Sequence, residues 1–363
     1  MKRKLKIKDF FDLLLEKKSC YSLLIFLSMS FLFVGCATQE AAPNASLSMS
    51  ANGINTGSNG SSSSSSTSSN LNLTKTAFSV VGLYINRSSL VASKIPSSVN
   101  EIWVSGLGPQ NGYEFDSLTT KEKNEIALLK NRNVKIKIVL GDAYYSLIDI
   151  NFIQNQFILI QSTLEFLRTN KLDGLHFQFS QENMDENFII YYNELLSEIG
   201  NDSYLISARL ERFFAPQLSS LLLASFNFIE VWPNTTAFDV LVGNEKYYRL
   251  SNWTHVQNVI RYFSDTLKIN PSKLLLNTPA FAYRIYKNKS PVTINYVSLF
   301  ASYPSAVNTD SIVGEDTSFY DLASPASTQK RLLWLKEKTW AGVAIDKLES
   351  DAPSPYGYLD LVE

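Results

Sequence analysis

Apolar and polar residues follow two different periods along residues 75–363. Short runs rich in β-branched and aromatic residues have the length and spacing of strands. Eight such runs are predicted as strands: FSVVGLYI (78–85), EIWVSGL (101–107), VKIKIVLG (134–141), LDGLHFQF (172–179), YLISARL (204–210), FIEVW (228–232), KLLLNTPA (273–280) and WAGVAI (340–345). Longer amphipathic stretches are predicted as helices at 119–132, 157–170, 185–200, 253–267 and 327–338. This alternation predicts an α/β fold, a (β/α)8 TIM barrel.

An open, doubly wound sheet is the alternative fold with the same alternation of elements. In that fold a glycine-rich phosphate-binding turn usually follows the first strand. Here VVGLYIN (80–86) is followed by RSSLVASK, which has no such turn. We therefore prefer the barrel.

The first 35 residues have a different pattern from the rest of the chain. A basic start, MKRKLKIK, precedes the apolar run SLLIFLSMSFLF (22–33), and small residues then lead to Cys36. This order is typical of an export signal peptide. The apolar stretch is shorter than the roughly 20 residues that a bilayer span requires, so a permanent transmembrane helix is the weaker interpretation.

Residues 36–74 are predicted to form a flexible tether. Ser, Asn, Ala, Gly and Thr dominate this segment, which includes SSSSSSTSS at 61–69 and shows no apolar periodicity. Such a composition cannot bury enough apolar surface to offset the loss of chain entropy. A coil of about 36 residues separates its ends by roughly 30–36 Å on average. The predicted organisation is therefore a signal (1–35), a tether (36–74) and a globular domain (75–363).

The peptide Phe33-Val34-Gly35-Cys36 resembles the lipobox of bacterial lipoproteins, although Phe33 stands where leucine is usual. The resemblance implies cleavage before Cys36 and acylation of that cysteine, and hence a membrane-anchored cell-envelope lipoprotein. Ala37 occupies the position where lipoproteins retained in the inner membrane carry Asp, which implies the outer membrane. The alternative is that Cys36 is an ordinary thiol near a normal cleavage site.

Composition excludes several other classes of function. Without its first 35 residues the chain keeps 26 basic and 31 acidic residues, a net charge of −5, which argues against nucleic-acid binding. Cys20 lies within the signal, so the mature chain has no internal disulfide and depends on its core. The only histidines are His176 and His255, and we predict no metal site and no cofactor.

The fourth predicted strand has polar residues at positions that are usually apolar in a barrel. In LDGLHFQFSQEN (172–183) side chains alternate between the two faces of the sheet. The apolar residues are predicted to face the helices, and the polar residues to line the barrel interior: His176, Gln178 and Ser180. Barrel interiors are usually filled by branched apolar residues, and active sites lie at the C-terminal ends of the strands. Ser180 and the loop 181–183 are therefore predicted to lie at the functional rim.

Asp173-Gly174-Leu175 and the alternating positions that follow resemble the DGxDxDxE strand of family 18 glycoside hydrolases, the chitinase-like enzymes. Other segments are similar to that family's landmarks in the same order: VVGLYIN (80–86), KNRNVKIKIVLGD (130–142), LLLNTPAFAYR (274–284) and AGVAIDKLESDA (341–352). The resemblance thus covers residues 76–352. It implies a (β/α)8 barrel and a possible glycan ligand.

The sequence departs from that family at the positions that carry catalysis. In the family the last position of the strand is the glutamate that protonates the glycosidic oxygen, and the preceding aspartates position the substrate's N-acetyl group. Those positions hold His176, Gln178 and Ser180 here. A serine hydroxyl cannot serve as that proton donor. The sixth-strand Tyr-Asp pair is also missing from VWPN (231–234), and Asp346 stands where the family has a sugar-stacking tryptophan.

Three functions remain open at this point. The leading hypothesis is a catalytically inactive lipoprotein that binds a glycan through aromatic residues near strand ends: Trp232, Tyr283, Tyr286, Tyr144 and Tyr145. The second is an active glycosidase on N-acetylglucosamine-type glycans that uses relocated carboxylates, with Glu182 and Asp142 as candidates. The third is a structural or protein-interaction scaffold, in which the aromatic residues only pack.

Overall fold

Eight parallel strands close into a barrel in the computed structural model, which describes residues 77–362 except for 112, 149–152, 179–184, 200–201, 212–217, 234–239, 243–244, 248–249, 287–288, 315–317 and 347–349. The strands are β1 (Val80–Asn86), β2 (Glu101–Ser105), β3 (Lys135–Gly141), β4 (Gly174–Gln178), β5 (Leu205–Glu211), β6 (Phe228–Trp232), β7 (Leu274–Thr278) and β8 (Gly342–Ile345). Closure occurs where β1 pairs with β8, from Val80 opposite Gly342 to Leu83 opposite Ile345. The predicted barrel is confirmed, and the open sheet is excluded.

Helices surround the barrel: α1 (Thr120–Asn131), α2 (Asp142–Tyr145), α3 (Ile153–Asn170), α4 (Glu186–Ile199), α5 (Ser220–Ser225), α6 (Trp253–Arg261), α7 (Tyr296–Ser302) and α8 (Pro325–Glu337). α6 continues into a π-helical stretch, Tyr262–Thr266. The start of α1 shows why these helices begin where they do, because Thr119 and Glu122 form a reciprocal capping box. Glu122 also binds Arg87 at 2.8 Å, which fixes the start of α1 beside the end of β1.

Side chains of the strands alternate between the helices and the barrel interior, as the sequence predicts. On β4 the ring of Phe177 packs against Phe188 and Tyr192 of α4, with centroid distances of 5.3 and 5.9 Å. His176, one residue earlier, points inward and is fully buried. The predicted orientation of the fourth strand is therefore confirmed for its described residues.

A small antiparallel sheet lies between β7 and α8, and the sequence did not predict it. Its strands run in the spatial order Lys289–Asn295, Phe281–Tyr286, Phe319–Asp321 and Ser311–Val313. Two of the strands are only three residues long, and burial along Phe281–Tyr286 does not alternate regularly, so the sequence carries little strand periodicity here. This insertion sheet carries Tyr283 and Tyr286.

Several predictions lie outside the described residues: the signal (1–35), Cys36, the tether (36–74), Ser180 and Glu182. Within the part of the chain that the structure describes, no helix has the length and apolar character needed to span a membrane. The barrel belongs to one compact unit, Ser69–Glu363. This unit contains all eight barrel strands and a core of its own.

Candidate functional site

His176 lies at the centre of the barrel and is held at both ring nitrogens. Its Nε2 lies 2.6 Å from the hydroxyl of Tyr84, and its Nδ1 lies 2.9 Å from Oγ of Ser207. The imidazole also stacks on the indole of Trp103, with centroids 4.3 Å apart and ring planes within 10°. Burial lowers the pKa of His176, although the hydrogen bond and charge of Glu230 oppose this shift. A neutral, fully engaged imidazole is a core residue rather than a ligand-binding one.

Glu230 on β6 is the acceptor around which the interior is organised. Its fully buried carboxylate accepts hydrogen bonds from the hydroxyl of Tyr84, from Nε and Nη2 of Arg209 at 3.0 and 3.2 Å, and from Nδ2 of Asn277 at 2.6 Å. Burial alone would raise the pKa of Glu230, but the charge of Arg209 and the hydrogen bond from His176 lower it to about 2. The carboxylate is therefore ionised at neutral pH and its oxygens are occupied.

Hydrogen bonds run in one direction through the interior and end at Glu230. Nζ of Lys137 donates to Oγ of Ser207 at 3.3 Å. Because the hydroxyl of Tyr84 donates to Glu230, Nε2 of His176 must carry the proton of the neutral ring, and Nδ1 accepts from Ser207. The Nε2 proton lies between the hydroxyl oxygen of Tyr84 at 2.6 Å and Oε2 of Glu230 at 3.1 Å. The hydroxyl of Tyr84 donates in turn to Glu230. We call these five residues (Lys137, Ser207, His176, Tyr84 and Glu230) the interior series.

The lower end of the interior series rests on a second buried ion pair. Nζ of Lys137 lies 2.8 Å from the carboxylate of Glu101, and both side chains are at most 5% exposed. Nε1 of Trp103 donates to the same carboxylate at 3.0 Å. The indole fills the space beside Gly82, where a Cβ atom would lie only 2.8 Å from the ring. The described lower interior is thus packed and paired.

Above the interior series the barrel opens into a cavity of about 440 Å³ at the C-terminal ends of β1, β2, β4 and β8. Polar groups that line it come from Asn86, Ser88, Ser105, Gln178 and Asp346, so Gln178 lies where the sequence predicts a site residue. The carboxylate of Asp346 lies 3.6 Å from Nη2 of Arg209 and accepts from Nδ2 of Asn277 at 3.3 Å. A carboxylate held by the interior therefore stands where the family resemblance implies a stacking tryptophan.

The aromatic candidates are found in three different environments. Trp232 is partly buried at the end of β6, and the guanidinium of Arg209 lies over its ring at 4.2 Å. Tyr283 and Tyr286 lie on the insertion sheet, where Tyr283 packs edge-on against Phe281 at 5.4 Å. Trp232 is therefore the candidate that borders the polar interior directly.

Tyr144 is a core residue and does not reach the cavity. It is 3% exposed, and its hydroxyl is hydrogen-bonded to Tyr191 at 2.5 Å and to Thr163 at 2.7 Å. Its neighbour Tyr145 donates to the carboxylate of Asp185 at 2.7 Å. Tyr144 therefore packs α2 against α3 and α4, and we do not treat it further as a carbohydrate-binding candidate.

The remaining candidates concern relocated acids and metal ligands. Asp142 is exposed as the first residue of α2, directly after β3, whereas Glu182 lies outside the described residues. His255 is buried on α6, and its Nε2 lies 2.9 Å from the carbonyl oxygen of Pro233. Within the described ranges, no group of three His, Cys, Asp or Glu side chains could hold a metal ion.

Sequence reasoning missed the charged residues of the interior, Lys137, Arg209 and Glu230. Each of them stands at an inward position of a strand that is otherwise largely apolar, as in FIEVW for Glu230. An isolated charge in such a run was the available signal, because a buried charge requires a partner.

Comparison with known proteins gives the same architecture. No protein-family model matches the chain, and no curated protein matches it in sequence. Among solved structures, the GH18 chitinase ChiB from the chitin utilization locus of Flavobacterium johnsoniae matches with a TM-score of 0.64 and 16% identity, over 79% of this chain and 93% of that one. A chitinase from Bacteroides thetaiotaomicron matches with a TM-score of 0.63 and 16% identity, over 79% and 95%.

A third solved structure is that of YKL-39, determined in the presence of chitooligosaccharides. It matches with a TM-score of 0.59 and 14% identity, over 77% of this chain and 95% of that one. Identities this low show the fold alone. The chain has the barrel fold shared by GH18 chitinases and chitinase-like proteins.

Proposed function

We propose that the protein is a catalytically inactive, chitinase-like lipoprotein that binds a glycan in the cavity at the mouth of its barrel. The observation that carries the proposal is the closed interior series, which occupies the place where the family resemblance implies a catalytic row. His176 fills one of those positions with both ring nitrogens engaged.

Hydrolysis of a glycoside requires a proton donor whose pKa is not far from neutral. Glu230, the carboxyl group nearest the centre, has a pKa of about 2 and is held by Arg209. Glu101 lies at the lower end of the interior, paired with Lys137. Loss of a correctly placed acid costs about 10²–10⁴ in rate. Asp346, the carboxylate that lines the cavity, is held by Arg209 at 3.6 Å and by Asn277 at 3.3 Å. These pairings support binding rather than turnover.

The cavity has the size and chemistry of a small carbohydrate site. Its volume of about 440 Å³ lies within the roughly 300–1,000 Å³ of ordinary ligand pockets. The hydroxyl groups of Ser88 and Ser105 and the amides of Asn86 and Gln178 offer donors and acceptors that suit sugar hydroxyls. Because YKL-39 was solved with chitooligosaccharides, these are the first ligands to test.

Membrane anchoring is the second part of the proposal and rests on the lipobox-like peptide that ends at Cys36. Several acyl chains on one residue give durable attachment, since each buried methylene contributes about 0.8 kcal/mol. Ala37 favours the outer membrane. Incorporation of labelled palmitate that is lost in Cys36→Ser, with release of the protein from the membrane fraction, tests this part. Retention of label in Cys36→Ser would overturn it.

The glycan proposal is tested with a fragment that spans the compact unit, residues 69–363. Titration calorimetry against chitooligosaccharides and a broader glycan panel should show binding, while product analysis should show no hydrolysis. Gln178→Ala should weaken binding by about tenfold, the loss of one good polar contact in the cavity. Trp232→Ala tests whether the ligand extends beyond the cavity to the end of β6, and an equal loss is expected if it does. Trp334→Ala is the matched control, because this indole is partly buried on α8, outside the barrel mouth.

Two outcomes would contradict the glycan proposal. Turnover that disappears in Glu182→Gln or Asp142→Asn would establish the active glycosidase with relocated carboxylates. Absence of both binding and turnover would leave the scaffold interpretation. Unfolding temperatures of all variants must be compared, so that a loss of binding is not confused with a loss of folded protein.

A further inference from the structure

The end of the barrel opposite the cavity carries an excess of positive charge. We call this end the basal face. It consists of the last helical turn before each barrel strand, the loop that follows this turn and the first residue of the strand. The short helix Ala92–Lys94 before β2 and the π-helical stretch Tyr262–Thr266 before β7 are counted as such turns. Among its described residues, apart from the inward-pointing Glu101, ten are basic and five are acidic. Eight of the basic residues are exposed: Arg132, Arg168 and six lysines, namely Lys94, Lys135, Lys171, Lys268, Lys336 and Lys338. The chain beyond residue 35 is acidic overall, so this face is a local reversal of charge.

Bonds to the ends of neighbouring helices and loops explain some of these cations but not the exposed lysines. Arg132 donates to the carbonyl oxygens of Ala92 and Ile95, and Lys273 donates to that of Ala224. Cations at helix C-termini also complement the helix dipole. The six exposed lysines add charge to the surface beyond what these bonds require.

The acidic residues of the basal face do not cancel that charge evenly. Asp173 is paired with Lys130 at 3.1 Å and with Lys135 at 3.7 Å, and Asp202 is paired with Arg168 at 2.9 Å. Glu198 and Asp202 both lie just before β5. The exposed lysines instead precede β2, β3, β4, β7 and β8, where all ten basic residues lie with only three acidic ones, Asp173, Asp265 and Glu337. In the barrel order β7-β8-β1-β2-β3-β4, these strands flank β1 on both sides.

The start of β1 is where the predicted tether joins the domain. Residues 77–79 lead directly into Val80 at the basal end of the barrel. The arc of lysines is therefore centred on the point of attachment. A tether holds the domain near the membrane and so raises the effective concentration of the basal face at the lipid surface. Weak attraction between the two surfaces can then be sufficient for docking.

We propose that the basal face docks on an anionic phospholipid surface. This proposal rests on the proposed anchoring at Cys36, which would keep the face close to a membrane. Anionic headgroups attract basic residues near the surface, and the attraction decays over a Debye length of about 8–10 Å. Docking by this end points the cavity away from the lipid, towards glycans beyond the membrane.

The test uses residues 69–363 and measures co-sedimentation with vesicles. Vesicles of phosphatidylglycerol and phosphatidylcholine should bind the protein, phosphatidylcholine alone should not, and salt should weaken the binding. The triple variant Lys94→Gln, Lys268→Gln, Lys336→Gln should lower the partition coefficient about 10- to 100-fold. The matched control is Lys121→Gln, Lys123→Gln, Lys330→Gln, which removes the same charge from exposed positions at the start of α1 and within α8.

Equal binding to both kinds of vesicle, or an equal loss in the control triple variant, would overturn the docking proposal. Glycan affinity is measured on the same preparations and should be unchanged in both triple variants. Failure of docking can thus be distinguished from failure of glycan binding, and palmitate incorporation tests the anchor separately.

Discussion

Arg209 and Glu230 form a two-point ion pair inside the barrel, with Nε to Oε2 at 3.0 Å and Nη2 to Oε1 at 3.2 Å. The pair is favourable in both charge and geometry, because the two parallel N–H donors of a guanidinium match the two oxygen atoms of a carboxylate. A buried pair of this kind contributes little relative to apolar replacements, but removal of one partner leaves an uncompensated charge. The predictions below follow from this pair and from the packing around it.

Glu230→Gln should lower the free energy of unfolding by about 3 kcal/mol, because it leaves the buried guanidinium of Arg209 with only the more distant Asp346, at 3.6 Å, as counter-charge. Urea unfolding at pH 7 measures the effect. The double variant Glu230→Gln, Arg209→Met removes both charges and should lose less than the sum of the two single variants. Additive losses would show that the two side chains are not coupled.

The same carboxylate makes stability depend on pH. The folded-state pKa of Glu230 is lowered from its ordinary 4.5 to about 2, so its stabilisation is complete above pH 4.5 and is lost as the pH falls through about 2. The wild-type protein should therefore lose up to about 3 kcal/mol from this group across that window. Glu230→Gln should show a shallower dependence over the same range. Parallel curves for the two proteins would contradict the assignment.

Gly82→Ala should be destabilising because the new methyl group would meet Trp103 at 2.8 Å, within a stack that also contains His176. Overpacking of this kind costs about 1–3 kcal/mol. Urea unfolding followed by tryptophan fluorescence measures both the stability and the environment of the indole. Gly108→Ala is the matched control, since no atom lies within 4 Å of the added Cβ. An equal effect at both glycines would exclude the packing explanation.

Tyr84→Phe removes the hydroxyl that links His176 to Glu230 and should cost about 1–3 kcal/mol, because two buried groups lose a partner. Tyr145→Phe is the comparison, since its hydroxyl donates to Asp185 nearer the surface. This second variant should change the free energy of unfolding by less than about 1 kcal/mol. A larger loss in Tyr145→Phe than in Tyr84→Phe would contradict the role of the interior series.

The sequence predicts the barrel well because alternation within each strand is a local property. The inward positions of His176 and Gln178 follow from the same alternation. The partners of those residues do not, since Lys137, His176 and Glu230 come from separate strands and meet only when the sheet closes. The insertion sheet was missed because two of its strands are only three residues long and burial along Phe281–Tyr286 does not alternate regularly.

Tyr144 shows a different limit of sequence reasoning. It follows β3 closely, so its position in the sequence suggests the rim of the barrel. The residues after Gly141 instead form the short helix α2, and this turn directs the ring of Tyr144 into the core beside Thr163 and Tyr191. Proximity to a strand end therefore does not determine the direction of a side chain.

The single direction of the interior series has a consequence for how related sequences can diverge. Ser207, His176 and Tyr84 each accept one hydrogen bond and donate another within the series, so a substitution at His176 changes which hydrogen bonds Ser207 and Tyr84 can make. Viable changes at these positions should therefore arise together. Homologues with the same barrel are expected either to keep Lys137, His176 and Glu230 together or to replace them together, a co-evolutionary signature that an alignment can detect without any measurement on the protein.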